Sequence, residues 1–363
     1  MTDKQRTAEQ VRLEINQKMG KEVLKKASDT EFTVEYLPTG LLPIDVLFHG
    51  GIPRGRFVEV YGDYSTLKSY IGYHAIATTQ KAGLLCGLID TEHSFDPAWA
   101  EVIGVNMDDL LIERPSTGEE AIDAMQVMAS TNDVALIVWD SVAATLPQDE
   151  ASKRMDGEQM QPARLAALMS AGLRKINATN KKTAIFCINQ TRLSIGVTFG
   201  NPESIPGGKS LPFYASFRVS LRKAGLINRE EPGGWERTAT GGLKRVVRRV
   251  TVAQKVRATI AKSKLSKPFR ETMLQWDMER SCLDIEDYLI IAGLEDGTII
   301  NSGSGTWSIG STKIRGNDKF KEYVIANPEV LAPIEKRVRE QAGLPLLPGQ
   351  QGQGKKKVFV RRH

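Results

Sequence analysis

The sequence predicts an α/β protein with a mainly parallel central sheet, a helix N-terminal to it and a small α/β unit after it. Three observations predict this. Phe57, Val58, Val60 and Tyr61 form an apolar β-prone run that turns at Gly62 and reaches Lys68-Ser69, where an apolar helical pattern (Ile71, Ala75, Ile76) begins. From Phe57 to about Ser220, further apolar runs alternate with helical patterns, and alternating βα units imply a parallel sheet covered on both faces. Two of those runs end in a carboxylate, at Asp90 and Asp140, and a third passes into Asn189-Gln190. In such sheets ligands bind beyond the C-terminal strand ends.

The chain has 363 residues, which suits a large core with satellites rather than one small domain. Its 41% hydrophobic and 25% charged residues are those of a soluble globular protein. No apolar run is long enough to cross a bilayer, and the charged segment Met1–Arg12 lacks a signal-peptide core, so no membrane partner is expected. Cys86, Cys187 and Cys282 stand far apart, which fits a reducing cytoplasm and argues against a zinc site. The net charge of +6 is compatible with a nucleic-acid partner without requiring one.

Taken in order, residues 5–28 read as an amphipathic helix (Val11, Leu13, Ile15, Met19, Val23, Leu24), and 1–34 as an N-terminal segment suited to oligomerisation. Turn clusters at Pro38-Thr39-Gly40 and residues 50–55 frame a short helix, Leu42–Phe48. The core, 35–283, has expected strands at Phe57–Tyr61, Leu85–Ile89, Leu136–Trp139, Ala184–Ile188 and Phe217–Leu221. Helices are expected at 68–82, 97–103, 118–130 and 162–179. Residues 223–250 read as an irregular surface excursion with a hairpin. The basic run Lys244–Val250 there is either a solvated edge strand or a face toward DNA. Residues 284–343 read as a small α/β domain, with helices near 286–292, 317–326 and 328–341 and short strands around Ile299 and Trp307. The basic tail 344–363, rich in Pro, Gly and Gln before Lys355-Lys356-Lys357, is expected to be disordered.

Four stretches carry chemistry. The first, Gly62-Asp63-Tyr64-Ser65-Thr66-Leu67-Lys68-Ser69, has the layout of a P-loop: successive backbone N–H groups and a helix N-terminus form an anion site. There Lys68 would reach the β- and γ-phosphates of ATP and Ser69 would hold Mg²⁺. Leu67 stands where G-x-x-x-x-G-K-S/T has its last glycine. If the loop needs positive φ at that position, Leu costs roughly 1–2 kcal/mol. In the second stretch, Leu88–His93, either Asp90 or Glu92 could polarise a water attacking the γ-phosphate; both could instead cap the next helix. In the third, Leu136–Ser141, Asp140 ends an apolar strand in the manner of a Mg²⁺-binding Walker B acid. The fourth, Phe186–Arg192, ends a strand in an amide and opens a Gly-rich loop whose basic ends suit a polyanion.

Taken together, these stretches resemble the bacterial RecA recombinase family across roughly residues 5–341. The resemblance is carried by T-G-x-x-x-x-D at 39–45, G-G-I-P-R-G-R at 50–56, I-D-T-E-H-S-F-D-P at 89–97, D-S-V-A-A at 140–144 and I-N-Q-T-R-x-x-I-G-V-x-F-G-N-P-E at 188–203. G-G-K-S-L-P-F-Y-A-S at 207–216, K-S-K-L-S-K-P-F at 262–269 and a later N-P-E complete it. The resemblance implies a RecA-like P-loop ATPase core. It implies ATP bound through residues 62–69, with Asp140 as the Walker B acid, Glu92 activating water and Gln190 coupling nucleotide to DNA. Trp99 falls where the family stacks a ring on adenine, and Asp96 where it contacts the base. Lys262 and Lys264 match a pair that reaches a neighbouring subunit's phosphates. Arg192, Ile195, Gly207 and Gly208 match the second DNA loop; Met160 lies in the first, at 150–164, and Ser170 and Arg174 on the helix that follows. The implied partners are single-stranded DNA, homologous double-stranded DNA and further copies of the chain in a helical filament.

Leu67, the basic tail and Pro212, where the family usually has a lysine, depart from the family pattern, and the 223–250 excursion is long for it. The expected function is ATP-dependent strand exchange on single-stranded DNA. A filament or mediator protein with impaired hydrolysis is the alternative, and a hexameric helicase-like motor a third that the DNA-loop match disfavours.

Overall fold

The central strand Phe57–Gly62 is buried along its whole length, which its apolar sequence demands. It belongs to a nine-stranded sheet whose strands are labelled β1 (Phe57–Gly62), β2 (Leu85–Asp90), β3 (Leu110–Glu113), β4 (Val134–Asp140), β5 (Ala184–Gln190), β6 (Phe217–Arg237), β7 (Leu243–Ser263), β8 (Glu271–Asp277) and β9 (Cys282–Leu283). The spatial order is β9-β8-β7-β6-β1-β5-β4-β2-β3. From β6 to β3 every pairing is parallel, and from β6 to β9 every pairing is antiparallel. The structure is a computed structural model that describes residues 6–26, 34–151, 162–193, 203–237 and 242–346.

Helices cover both faces of the parallel half. Residues Lys68–Lys81 and Pro97–Ile103 lie over one core cluster, which contains Val58, Val60, Ile71, Ile76, Leu88 and Phe186. Gly118–Thr131 and Pro162–Thr179 lie over a second, with Phe57, Ile122, Met125, Trp139, Leu173 and Ile185. The side chains of β1 alternate between these clusters, Phe57 on one and Val58 on the other, as the strand period requires. The T-G-x-x-x-x-D spacing has a local cause: the Asp45 carboxylate accepts from Thr39 N at 2.6 Å and Thr39 Oγ1 at 2.7 Å, tying the turn to the helix Leu42–Leu47. Burial pushes the Asp45 carboxyl up to about 6.

Residues 285–342 build three helices, Ile285–Glu295, Asn317–Ala326 and Ala332–Ala342, against a three-stranded antiparallel sheet. Their core holds Leu289, Ile299, Phe320, Val324 and Ile334, and Leu42 joins it. The third strand of that sheet, Thr312–Arg315, alternates half-buried and exposed positions and has no apolar run to announce it. The described residues divide into two compact units, the larger beginning at Tyr36 and the smaller comprising the segment before it. In the smaller unit the helix is Ala8–Met19, shorter than the expected 5–28. Thr7 and Gln10 form a capping box at its start, and Gly20 at φ 65° ends it in the left-handed conformation that favours glycine.

The excursion at 223–250 is a correction to the sequence reading. It is regular: β6 and β7 are 21 residues each and pair from Phe217↔Ser263 to Arg237↔Leu243. Of the residues that suggested irregularity, Glu230, Glu231 and Pro232 are paired in regular register and Gly233-Gly234 sits at a bulge, while Thr240-Gly241 lies outside the described residues. Register shifts fall at Lys223/Gly225 and Pro232/Trp235: Ala224 is the extra residue at the first, beside Gly225, which pairs with Lys255, and at the second Gly233 and Gly234 stand against the single residue Val246.

Candidate nucleotide site and nucleic-acid interface

β1 ends at Gly62, and the helix Lys68–Lys81 starts six residues later. Gly62 is required by close approach: a Cβ there would lie 2.2 Å from the Leu221 carbonyl oxygen of β6. Ser65 and Leu67 are left-handed, with φ 54° and 69°. Leu67 is the N-cap of the helix, and its carbonyl accepts the first helical bond, from Ile71 N at 3.0 Å. Left-handed residues before a helix N-terminus turn successive N–H groups inward, the backbone arrangement that cradles phosphate. The Lys68 ammonium lies inside this loop and donates to the carbonyls of Asp63 at 2.6 Å and Gly62 at 3.2 Å. Burial pulls its pKa below the ordinary lysine value, opposed by Asp140, Glu92 and Asp63.

The strand ends converge on this loop because β2, β4, β5 and β1 are parallel neighbours. Asp140, at the end of β4, accepts from Ser69 Oγ at 2.6 Å, and its carboxyl is pushed up to about 6 by burial, with Glu92 and Asp90 adding to the rise. A hydroxyl and a carboxylate side by side are hard oxygen ligands, the donor set that suits Mg²⁺. Donors, helix terminus and oxygen pair therefore fit a magnesium-bound nucleotide phosphate. A cleft of ≈ 270 Å³ lined by Gly62, Asp63, Thr191, Ser220, Leu221, Arg222 and Lys223 opens beside the loop.

Sequence left Asp90 and Glu92 open as the water-polarising acid, and the structure separates them. Asp90 is 2% exposed and fully engaged: it accepts from Ser94 N and Phe95 N and from Arg114 Nε at 3.0 Å. Glu92 is exposed. Its Oε1 accepts from Ser141 Oγ and from Gln190 Nε2 at 2.7 Å, and among the described residues no hydrogen bond reaches Oε2. The backbone holds Glu92 there, since Thr91 N and Glu92 N both donate to the Asp140 carbonyl. One carboxylate oxygen is thus fixed and the other can meet a water.

Gln190 ends β5, where the stretch expected to form a DNA loop begins. Asn189 Nδ2 donates to Glu59 Oε1 and to the Pro206 carbonyl, each at 3.1 Å, so the same strand end also holds the far end of that loop. Arg192 is exposed and pairs with Ser204. Gly207 and Gly208 are left-handed (φ 91° and 70°) and press on the helix Pro162–Thr179: a Cβ on Gly208 would lie 2.7 Å from Ala166 Cβ. Ser170, half-buried, and Arg174, exposed, lie on that helix. Met160 and Ile195 lie outside the described residues.

Asp96 is the N-cap of the helix Pro97–Ile103, its Oδ1 accepting from Ala98 N and Trp99 N. Trp99 is half-buried and meets Trp276 edge-on at 6.5 Å. Lys262 and Lys264 do not join their own chain's P-loop. Both donate to carbonyls of the short helix Ser210–Tyr214, Lys264 Nζ reaching the Phe213 oxygen at 2.7 Å. Lys264 N bonds Ser216 and Ser216 N bonds Phe57, so the pair sits at the start of β1, the opposite end from Gly62. Five strand steps at about 3.3 Å each put it about 17 Å away.

Sequence reasoning missed two residues at the site. Ser141 orients Glu92, and only its place after Asp140 marked it. Lys223 puts its ammonium 3.3 Å from the Tyr64 ring centroid and 3.7 Å from Asp63, a contact made possible only by β6 lying next to β1.

A family model described as the RecA N-terminal domain matches residues 6–282. A protein named Protein RecA from Cereibacter sphaeroides is 34% identical over 359 residues, 97% of this chain and 98% of that protein. Proteins of the same name from Chloroflexus aurantiacus and Bordetella petrii are 34% and 36% identical, each covering 91% of this chain and 89% and 88% of their own lengths. With a match this long to the family model, and relatives this similar over nearly their full length, the chain belongs to the RecA family.

Proposed function

We propose that this chain is an ATP-dependent DNA recombinase that assembles on single-stranded DNA and promotes homologous pairing and strand exchange. The observation that carries this reading is the hydrogen bond from Gln190 to Glu92. It joins the acid beside the P-loop to the first residue of the DNA-loop stretch, so a change at the γ-phosphate can be felt at the loop.

In this reading the residues of 62–69 bind ATP, Lys68 offsets phosphate charge and Glu92 orients the attacking water. Ser69 and Asp140 hold Mg²⁺, which when bound neutralises charge on the phosphates. Asp96 and Trp99 take the adenine. The opposite-end position of Lys262 and Lys264 supports their service to a neighbouring protomer, which would place ATP between subunits of a filament. Met160, Ser170, Arg174, Arg192, Ile195, Gly207 and Gly208 hold single-stranded DNA, largely through its phosphates. One observation favours the alternative of a hydrolysis-impaired filament or mediator: Leu67 holds a left-handed backbone that suits glycine. Comparing ATP turnover with and without single-stranded DNA separates the two, since only the recombinase reading expects DNA to raise it.

A further inference from the structure

β6 and β7 form a long two-stranded ribbon that passes the P-loop before it leaves the sheet. Leu221, the last residue of β6 paired with β1, lies opposite Gly62. Directly opposed residues in a ladder share a face, and so do residues two apart along a strand. Lys223 is opposite Val256, so Leu221 and Lys223 of β6 stand on one face with Val256 and Gln254 of β7. Leu221 and Val256 belong to the same core cluster as Ile71 and Ile76 of the helix Lys68–Lys81. Lys223 and Gln254 are therefore carried to the loop in front of that helix.

Both side chains reach it. Gln254 Nε2 donates to the Ser65 carbonyl at 3.0 Å. The Lys223 ammonium lies 3.3 Å from the Tyr64 ring centroid and 3.7 Å from Asp63 Oδ2. Three successive loop residues are thus held from one side, Tyr64 being otherwise open to solvent. These contacts fall where the backbone needs them. Ser65 and Leu67 are left-handed, at φ 54° and 69°, and neither is glycine. L-residues keep such a backbone only where their surroundings over-determine it. Within the loop, Tyr64 N donates to Asp63 Oδ1 and Thr66 Oγ1 to the Asp63 carbonyl, each at 2.8 Å. Those bonds secure Asp63. The bond from Gln254 secures the next peptide plane but one, between Ser65 and Thr66, whose rotation would undo the left-handed turn at Ser65.

We propose that Lys223 and Gln254 are positioning residues for nucleotide binding: from β6 and β7 they clamp residues 63–65 in the phosphate-cradling conformation that a loop with glycine at position 67 would adopt unaided. This rests on the nucleotide-binding reading for its purpose, but the clamp itself is a property of the free loop. A loop with two left-handed L-residues competes with a relaxed form in which its N–H groups no longer converge. Only the cradle binds phosphate, so the apparent Kd rises as the competent fraction falls. Contacts that only the cradle makes raise that fraction. The roles divide: Gln254 fixes the backbone, and Lys223 fixes the side chains of Asp63 and Tyr64 through one cation shared between a carboxylate and a ring. A direct phosphate contact is the less favoured role for either residue, because the Gln254 amide is engaged by the Ser65 carbonyl and the Lys223 ammonium by Asp63 and Tyr64.

The test is isothermal titration of the full chain with Mg·ATP, for the parent, Gln254→Met, Lys223→Met and Lys223→Arg, each also in the Leu67→Gly background. Methionine keeps an unbranched side chain and removes the donor or the charge. Each Met variant should weaken binding about fivefold in the parent, the size of one net hydrogen bond or cation–π contact. In Leu67→Gly the same changes should cost only about twofold, because glycine populates the cradle without help. Lys223→Arg keeps a cation beside the ring and the carboxylate and should bind as the parent does. Without nucleotide, hydrogen exchange in the peptide spanning residues 62–69 should be faster in both Met variants and unchanged elsewhere. Thermal midpoints at the parent value establish that the variants fold. Equal losses in the two backgrounds would make these residues direct nucleotide contacts or general supports, and would overturn the proposal. Parent-like affinity and loop exchange in the Met variants also overturns it. A parent that takes up no Mg·ATP would sink the nucleotide-binding reading instead, and loop exchange then decides the clamp alone: faster exchange in the Met variants upholds it, and unchanged exchange overturns it.

Discussion

Leu67→Gly removes a branched side chain from a position whose backbone, at φ 69° and ψ 15°, is the one L-residues avoid. The left-handed conformation costs an L-residue about 1–2 kcal/mol. If the free loop relaxes part of the time to a negative φ, ATP must supply that energy to restore the cradle, and the apparent Kd rises by the reciprocal of the competent fraction. Glycine removes the cost, so Mg·ATP should bind more tightly by up to about tenfold. Two effects oppose the gain. Leu67 is half-buried against the core, and losing that contact costs about 1 kcal/mol of global stability. Glycine also frees the unfolded chain, by about 0.5–1 kcal/mol. The penalty for glycine inside a helix does not apply, because Leu67 is the N-cap and not part of the first turn. Leu67→Gly should therefore bind nucleotide more tightly while melting slightly lower. Leu67→Ala keeps the strain, so it should melt lower without tightening. Isothermal titration with Mg·ATP and a thermal melt on the three proteins measure both. Tightening in Leu67→Ala equal to that in Leu67→Gly, or none in Leu67→Gly, would refute the strain argument.

Lys68→Ala should lower nucleotide affinity and abolish turnover, whereas Glu92→Ala should keep nucleotide binding and lose hydrolysis; steady-state turnover beside equilibrium binding separates them, and normal turnover in Glu92→Ala would remove it as the base. The Asp140 carboxyl, raised to about 6, gives Mg·ATP binding a defined pH dependence. Its native value exceeds the ordinary 3.8, so without nucleotide the folded protein holds this proton below pH about 6, and the associated stability is lost as pH rises from about 4 through 6. Mg²⁺ needs the carboxylate, so binding near pH 6 should release a proton, and below it affinity should fall by up to tenfold per pH unit. Calorimetry in two buffers of different protonation heat counts the protons, and equal release in Asp140→Asn would contradict the assignment.

The residues legible in the sequence share one property: each lies at a strand end or in the turn that follows one. Lys68, Asp140, Glu92 and Gln190 follow apolar runs, and a parallel sheet brings such ends together whatever the details of packing. The helices 97–103 and 162–179 were legible for a similar reason, being bounded by Pro and by polar breaks. What the sequence concealed depends on residues far apart in the chain. Asp90 is disqualified as the free base by Arg114, 24 residues on, and Lys223 meets Tyr64 only because β6 pairs with β1. The ribbon was misread because Gly233 and Gly234 signal a loop locally, while the strand across from them turns them into a bulge. Strand β3 was missed because three of its four residues are exposed at the sheet edge, without the apolar run that marks a buried strand.

The central claim is that the Gln190–Glu92 bond couples nucleotide to DNA, and ATP turnover with and without single-stranded DNA, in the parent and in Gln190→Ala, tests it most directly. The account predicts that DNA raises turnover in the parent. It predicts that Gln190→Ala binds Mg·ATP and DNA separately much as the parent does, yet shows no rise when both are present. A parent whose turnover is indifferent to DNA, or a Gln190→Ala variant stimulated as fully as the parent, would contradict it.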